Sequence, residues 1–178
     1  MLETALVLPL LLVIVFNTVN FAYLFLVALN LTSSTRSGAL YSIQGGETPA
    51  SISLPQAGPT TTQTSVSYLA LNDLNGALAN GTSAGVQVCT SAGAPSSWTA
   101  LQPTPCTQSN FTCPTGATCT PDTDIEAPVF VLNRVDVNYT FHPLIPGFAF
   151  NLYTQVLPVC GASGTCTFHR MAEMREMN

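Results

Sequence analysis

Six cysteines are the residues of this sequence with the clearest capacity for chemistry. They all follow a long apolar N-terminal segment, at positions 89, 106, 113, 119, 160 and 166. An even number of cysteines confined to one side of such a segment is typical of disulfides formed in an oxidising compartment. Short loops favour the pairs Cys160–Cys166 and Cys113–Cys119, which leaves Cys89–Cys106, although the spacing allows other pairings.

Metal binding and catalysis have weaker support. No Cys-x-x-Cys pair occurs, and His142 and His169 do not lie at ligand spacing from any cysteine pair. Asp122, Asp124 and Glu126 form an acidic cluster without the glycine and distant glutamate of an EF-hand loop, which favours a solvated loop over a calcium site. Neither histidine has an Asp or Ser constellation near it in the sequence. We therefore predict no metal, no cofactor and no enzymatic activity.

Asparagine side chains could carry a further modification, N-glycosylation. Asn-x-Ser/Thr matches occur at Asn30, Asn80, Asn110 and Asn138, and chance matches are expected in a chain rich in these residue types. Asn110 lies in an accessible region and is the candidate site. An intact mass equal to that of the bare, disulfide-bonded chain would refute the modification.

Charge is scarce throughout the chain. Only 7% of the 178 residues are charged, the four cations are all arginines, and the net charge is -5. Without a basic stripe, nucleic-acid binding is not expected. Because 47% of residues are apolar, the low charge does not indicate disorder. The length suffices for one compact domain and an anchoring helix.

The element that must position these residues is the N-terminal segment, which carries no charge from Thr4 to Ser34. As a helix it would be about 45 Å long, whereas a bilayer core is about 30 Å thick. A cleavable signal peptide would have a basic start and a shorter apolar run. The segment is therefore predicted to span a membrane and to continue as a helix beyond it.

Several polar residues in this segment favour an assembling helix over a plain anchor. Glu3 is costly in hydrocarbon unless it is paired or stays near an interface. The amino terminus of a neighbouring subunit could neutralise it and so fix the axial register. Pro9 is predicted to kink the helix, and Asn17 and Asn20 could form hydrogen bonds between helices. On physical grounds alone, Glu3 could equally be a flanking charge in the headgroup region.

The stretch LETALVLPLLL (residues 2–12) resembles the signature of TadE-like pilins and pseudopilins, in the tight-adherence branch of the type IV pilus superfamily. Glu3 and Pro9 match the glutamate and proline of that signature. The following TSSTRSGALYSIQGG is similar to the continuation of the family's helix, with Arg36, Gly38 and Ala39 in place. Family precursors carry a short basic leader ahead of the signature. This chain begins Met1-Leu2-Glu3, so leader processing stays open.

The C-terminal region also resembles the family. Its closing pattern is a strand with Tyr-x-Phe-x-Pro and Leu-x-Pro, then a final strand ending in Met-Arg. The matching residues here are Tyr139, Phe141, Pro143, Pro146, Met174 and Arg175.

The resemblance implies a structural pilin that polymerises through its N-terminal helix into an extracellular, type IV pilus-like filament for adhesion or surface attachment. Its partners would be copies of itself, the inner membrane before assembly and the pilus assembly machinery, and its location the bacterial cell surface. The helix residues expected in the filament core are Leu6, Leu8, Leu11, Leu12, Val15 and Phe16. The alternatives are a monomeric, membrane-anchored extracytoplasmic binding protein or a minor pseudopilin.

The expected fold is α+β and type IV pilin-like, with a helix over residues 1–42 and a globular head over 43–178. Apolar residues at three- and four-residue spacing predict a second helix over about 62–78. Alternation predicts strands over 86–90 and 128–141, with an irregularity near Asn133 and Arg134. Further strands are expected over 150–159 and 166–175. Residues 91–127 are predicted to be an irregular, disulfide-pinned insertion. The strands are expected to form an antiparallel sheet of about four strands. Removal of residues 1–30 should leave a soluble head.

Overall fold

The computed structural model describes residues 2–44, 56–78, 81–92, 106–114, 116–119, 130–147, 151–155, 157, 160 and 166–177. Two helices, α1 (Leu2–Gln44) and α2 (Val66–Ala77), accompany a sheet. Its strands are β1 (Gly85–Ala92), β2 (Cys106–Ser109), β3 (Phe130–Phe141) and β4 (Cys166–Met177), in the order β2-β1-β3-β4. The α+β class and the four-stranded antiparallel sheet are confirmed.

Helix α2 begins later than the apolar spacing indicates. Ser65 is its N-cap, and the Ser65 hydroxyl accepts a hydrogen bond of 3.1 Å from the backbone N–H of Tyr68. Such a cap satisfies a donor that the first turn leaves free. Residues 62–65 instead form turns, in which the Ser65 N–H donates to the Thr62 carbonyl. The predicted start at residue 62 was therefore early.

Two strand predictions were wrong in position. Residues 152–155, predicted as strand, form a 3₁₀ turn, because side-chain amides rather than a neighbouring strand bind the backbone there. Strand β2 lies inside the predicted irregular insertion, where it pairs antiparallel with β1. Cys106 lies directly opposite Cys89 in that pairing and is bonded to it by a disulfide.

Strand β3 pairs with β1 without interruption. The register runs from Gly85 opposite Asn138 to Ala92 opposite Val131, so the irregularity predicted near Asn133 and Arg134 is absent from this pairing. The alternation of apolar residues is interrupted near Asn133 and Arg134 because that part of β3 has polar residues on a buried face. Both faces of β3 are buried, one by apolar side chains such as Val135 and the other by an ion pair.

Contacts divide the chain into two compact units. The first, called here the N-terminal unit, comprises Met1–Leu29 and Thr140–Phe168. The second, the sheet unit, comprises Asn30–Tyr139 and His169–Asn178. The division predicted from the sequence, at residue 42, stays a prediction.

An aromatic cluster forms part of the N-terminal unit. The ring of Phe141 lies 5.6 Å from that of Tyr23, 6.1 Å from that of Tyr153 and 6.3 Å from that of Phe168. Phe141 and Phe168 are buried. The cluster therefore joins the first half of α1 to the segment that follows β3.

The sheet unit is built around the last part of α1. Its Ser34 hydroxyl donates to the Ala70 carbonyl of α2 at 2.8 Å. A Cβ at Gly38 would lie 3.4 Å from Val135 and 3.5 Å from Ala70. This close approach places α1 against both α2 and β3, and buried Val66, Ala70 and Leu74 complete the contact.

Candidate functional site

The first half of α1 presents a long apolar surface to its surroundings. Between Val7 and Leu29, large apolar side chains are between 41% and 62% exposed: Val7, Leu8, Leu10, Leu11, Leu12, Ile14, Val15, Val19, Phe21, Phe25, Leu26 and Leu29. The stretch Val7–Ile43 is long and apolar enough to cross a membrane. A chain with this much exposed apolar surface on one helix needs lipid or protein to cover it.

Most of the predicted filament-core residues belong to this surface. Leu8, Leu11, Leu12 and Val15 are exposed, and Phe16 is half-buried. Glu3 and Leu6 lie on α1, but their side chains are outside the described part of the structure. Pro9 lies within α1, and the predicted kink there stays a prediction.

Asn20 bonds within its own chain, whereas the sequence suggested hydrogen bonds between helices. It is fully buried, and its Nδ2 donates to the Ile145 carbonyl and to Asn151 Oδ1, both at 2.9 Å. Its Oδ1 accepts from the Ile145 N–H at 3.0 Å. The amide therefore binds both polar groups of one residue of the same chain, as a paired backbone would, and is not presented to a neighbouring helix.

Asn17, one helical turn earlier, makes a similar contact. Its Oδ1 accepts from the Leu152 N–H at 3.0 Å, and its Nδ2 donates to the Val13 carbonyl at 2.8 Å. Together with Asn20, it holds a segment that we call the clamp loop, residues 144–147 and 151–153. Side chains at positions 17 and 20 share a helix face, so both reach the same loop.

The clamp loop is bonded within itself as well. Asn151 Nδ2 donates to the carbonyls of Gly147 and Ile145, at 2.8 Å and 3.2 Å. The Tyr153 hydroxyl donates to Asn151 Oδ1 at 2.9 Å. The loop still exposes apolar side chains, since Leu144 is 53% and Leu152 is 50% exposed.

Charge is divided unequally between the two units. Glu3 is the only Asp, Glu, Lys or Arg in the residues of the N-terminal unit, whereas all four arginines and every other acidic residue belong to the sheet unit. The N-terminal unit is thus nearly free of charge over both of its chain segments.

The sheet unit carries a buried ionic network on β3 and β4. Arg134 Nε lies 2.7 Å from Asp136 Oδ2, and Arg134 Nη1 lies 3.0 Å from Glu173 Oε1. His169 Nε2 lies 2.8 Å from Asp136 Oδ1, and Arg134 Nη2 donates to the Thr118 carbonyl. The hydrogen bond that Arg134 donates to Asp136 is the main cause that raises the pKa of Arg134, so the guanidinium stays charged although it is buried.

The sequence showed no aspartate partner for either histidine, but in the structure Asp136 is the partner of His169. Asp136 and His169 are distant in sequence but adjacent in the sheet. A signal was present, because Arg134 and Asp136 share one strand face, as do His169 and Glu173. Strand order was needed to bring the two pairs together.

Cys119, Asp136 and His169 lie close enough to hold a metal ion, but their chemistry does not suit one. The Cys119 sulfur is bonded to that of Cys113, so it is not the thiolate that binds metals. Both Asp136 oxygens already accept hydrogen bonds from Arg134. The arrangement is a structural network.

The remaining candidate residues are placed as follows. The cysteines form three disulfides, Cys89–Cys106, Cys113–Cys119 and Cys160–Cys166, which is the pairing that short loops favour. Asn110 is exposed, with a φ of 51°, and its glycosylation stays a prediction. The acidic cluster at 122–126 lies outside the described residues.

Comparison with known proteins gives one match. The family described as TadE-like protein matches residues 1–40, which lie within α1 apart from Met1. No curated protein and no solved structure matches the chain. The match over residues 1–40 and the apolar helix together fit a membrane-anchored, pilus-related subunit.

Proposed function

We propose that this chain, which is TadE-like over residues 1–40, is a pilin that polymerises through α1 into an extracellular filament serving adhesion or attachment. The observation that carries the proposal is the apolar surface of α1 between Val7 and Leu29. In a membrane, lipid covers this surface before assembly. In a filament, the same surface on neighbouring copies covers it.

The magnitude of this burial is large compared with any single polar contact. Covering one exposed Leu, Val or Phe from water is worth about 1.5–3 kcal/mol, and the surface has many such residues. Transfer of the helix from lipid to a filament core gains little of this free energy, because lipid is as apolar as the filament core. Packing between helices and pairing of polar groups must therefore set the specificity of assembly.

Glu3 is the residue to which we assign this specificity. A carboxylate within a bundle of apolar helices is costly unless a cation pairs with it. The amino terminus of a neighbouring subunit would supply that cation and would fix the axial register. This register role goes beyond what the family match carries and is part of the proposal.

The test is Glu3→Ala, compared with Asp73→Asn, which removes a carboxylate from an exposed position of α2. We expect both proteins to fold and enter the membrane, and only Asp73→Asn to form filaments when the purified material is imaged by electron microscopy. Normal filaments from Glu3→Ala would contradict the register role. If the unmodified chain itself does not form filaments as their repeating subunit, a minor pseudopilin or a monomeric anchored protein is favoured instead.

A further inference from the structure

We propose that the clamp loop is a second lipid contact, in which Leu144, Pro146 and Leu152 enter the outer headgroup–acyl boundary while the subunit is membrane-inserted. This inference rests on the membrane-inserted precursor of the proposed function and extends its membrane contact beyond α1. It concerns only the N-terminal unit. The partner is the boundary region of a phospholipid bilayer.

Helix length gives the first argument. If Glu3 stays at one headgroup layer, as its charge requires, the apolar stretch from Thr4 to Phe16 spans about 20 Å. A bilayer core of about 30 Å takes about 20 residues, which extends to about Tyr23. Asn17 and Asn20, with the clamp loop bound to them, therefore lie near the far edge of the hydrocarbon.

Charge gives the second argument. The clamp loop belongs to a chain segment, residues 137–168, with no Asp, Glu, Lys or Arg. Charged side chains are the groups that the hydrocarbon boundary excludes most strongly. A loop can lie near that depth only if it is uncharged, and the clamp loop contains no charged residue.

Backbone satisfaction gives the third argument. Non-helical backbone at membrane depth is tolerated only where protein satisfies its polar groups. Here Asn20 binds both polar groups of Ile145, Asn17 binds the Leu152 N–H, and Asn151 binds the Gly147 carbonyl. These three asparagines bind backbone groups of the loop from within the protein, and the loop exposes side chains such as Leu144 and Leu152.

These features favour lipid over a second copy of the chain. A specific protein contact needs shape complementarity and usually polar groups at its rim. The polar side chains Asn151 and Tyr153 already bond to each other. Next to the exposed Leu152, the ring of Tyr153 lies 6.4 Å from that of the exposed Phe21 of α1. This arrangement suits a partner without directional groups.

The experiment measures the depth of single tryptophans in vesicles. The natural Trp98 is replaced by phenylalanine, and Leu144→Trp or Leu152→Trp is added at exposed positions that can accommodate the ring. Ile14→Trp, at an exposed position about halfway between Glu3 and Tyr23, reports the bilayer interior, and Met171→Trp, at an exposed position of β4 in the sheet unit, reports the water phase. Each full-length protein is inserted at low density into phosphatidylcholine vesicles brominated either near the headgroup or near the chain end.

We expect blue-shifted emission from Leu144→Trp and Leu152→Trp, with stronger loss of emission in the lipid brominated near the headgroup. Ile14→Trp should be quenched more by the deep bromines, and Met171→Trp by neither. Intact masses check that each variant retains three disulfides.

Other outcomes overturn the inference and have different meanings. If the loop variants behave like Met171→Trp while Ile14→Trp is quenched, the loop faces water and only α1 enters the membrane, so the proposed function is untouched. A blue shift that grows with protein density without bromine quenching assigns the loop to a second copy. If Ile14→Trp is not quenched, the inserted precursor itself is wrong.

Discussion

Asn20 satisfies backbone polar groups of the clamp loop beside an apolar helix. Its amide offers one donor group and one acceptor in the same plane, and it binds the N–H and the carbonyl of Ile145. A buried backbone group without a partner costs about 1–3 kcal/mol. The asparagine therefore stabilises the clamp loop without adding charge to the N-terminal unit.

Asn20→Leu should loosen the clamp loop without unfolding α1. The Ile145 N–H would lose its acceptor, while the Ile145 carbonyl would keep Asn151 Nδ2 as a donor. We expect local stability to fall by about 1–3 kcal/mol, seen as faster amide hydrogen exchange at Ile145. Thr18→Val is the control, because its exposed hydroxyl donates to the Ile14 carbonyl within α1 itself. Equal exchange in both variants would contradict the role of Asn20.

Arg134 holds a different kind of polar group in place, the buried carboxylate of Asp136. Arg134→Met would leave that carboxylate with His169 as its neighbour. Removing one partner of a buried ion pair is expected to cost about 3–5 kcal/mol of unfolding free energy. Denaturant unfolding in detergent measures it, with Arg170→Met, an exposed arginine, expected to change stability by less than about 0.5 kcal/mol. Similar stability of the two variants would show that the pair is not energetically coupled to the fold.

Gly38 shows how α1 meets the other elements of the sheet unit. A Cβ there would be in ordinary contact with Val135 and Ala70, so a larger side chain has no space. Gly38→Leu should destabilise the protein by about 1–3 kcal/mol through overpacking. The matched control is Gly76→Leu in α2, where a Cβ would meet nothing within 4 Å and the higher helix propensity of leucine should stabilise. Thermal unfolding of both variants decides, and equal melting temperatures would contradict the close packing.

Strand β2 depends on its disulfide more than the longer strands do. It pairs over four residues with β1, and Cys106 is bonded across the pair to Cys89. Replacing both cysteines by alanine should cost about 2–4 kcal/mol and remove exchange protection from β2. The same replacement of Cys160 and Cys166 should leave β2 protected. Retained protection of β2 in the first variant would show that backbone pairing alone holds it.

The elements that could be predicted from the sequence are those whose own residues carry the signal. Helix α1 follows from its charge-free length and β3 from apolar alternation, whereas the final strand, β4, was expected from the resemblance of the C-terminal pattern. Strand β2 has no such pattern, because its position is set by pairing and by Cys106. The 3₁₀ turn at 152–155 carries strand-like residues, but Asn17 takes the Leu152 N–H that a ladder would need. The contact of His169 with Asp136 likewise depended on strand order.

At the scale of the whole molecule, the two units change what a truncation should do. From the sequence, removal of residues 1–30 should leave a soluble head. In the structure, however, the segment Thr140–Phe168 forms one unit with Met1–Leu29. A chain that starts at Asn30 would leave Ile145 without Asn20 and Phe141 without Tyr23. The apolar segment after β3 would then be uncovered.

A shorter truncation avoids this loss. A chain that starts at Asn17 keeps Asn17, Asn20 and Tyr23, but it lacks most of the exposed apolar surface of α1. We expect the chain from Asn17 to elute as a monomer in detergent-free size-exclusion chromatography, and the chain from Asn30 to aggregate, because uncovered apolar surface drives association. If the chain from Asn30 is monomeric and retains exchange protection at Ile145, the N-terminal unit does not depend on its helix. Aggregation of both chains would place the decisive apolar surface after Asn17, at residues such as Phe25 and Leu29.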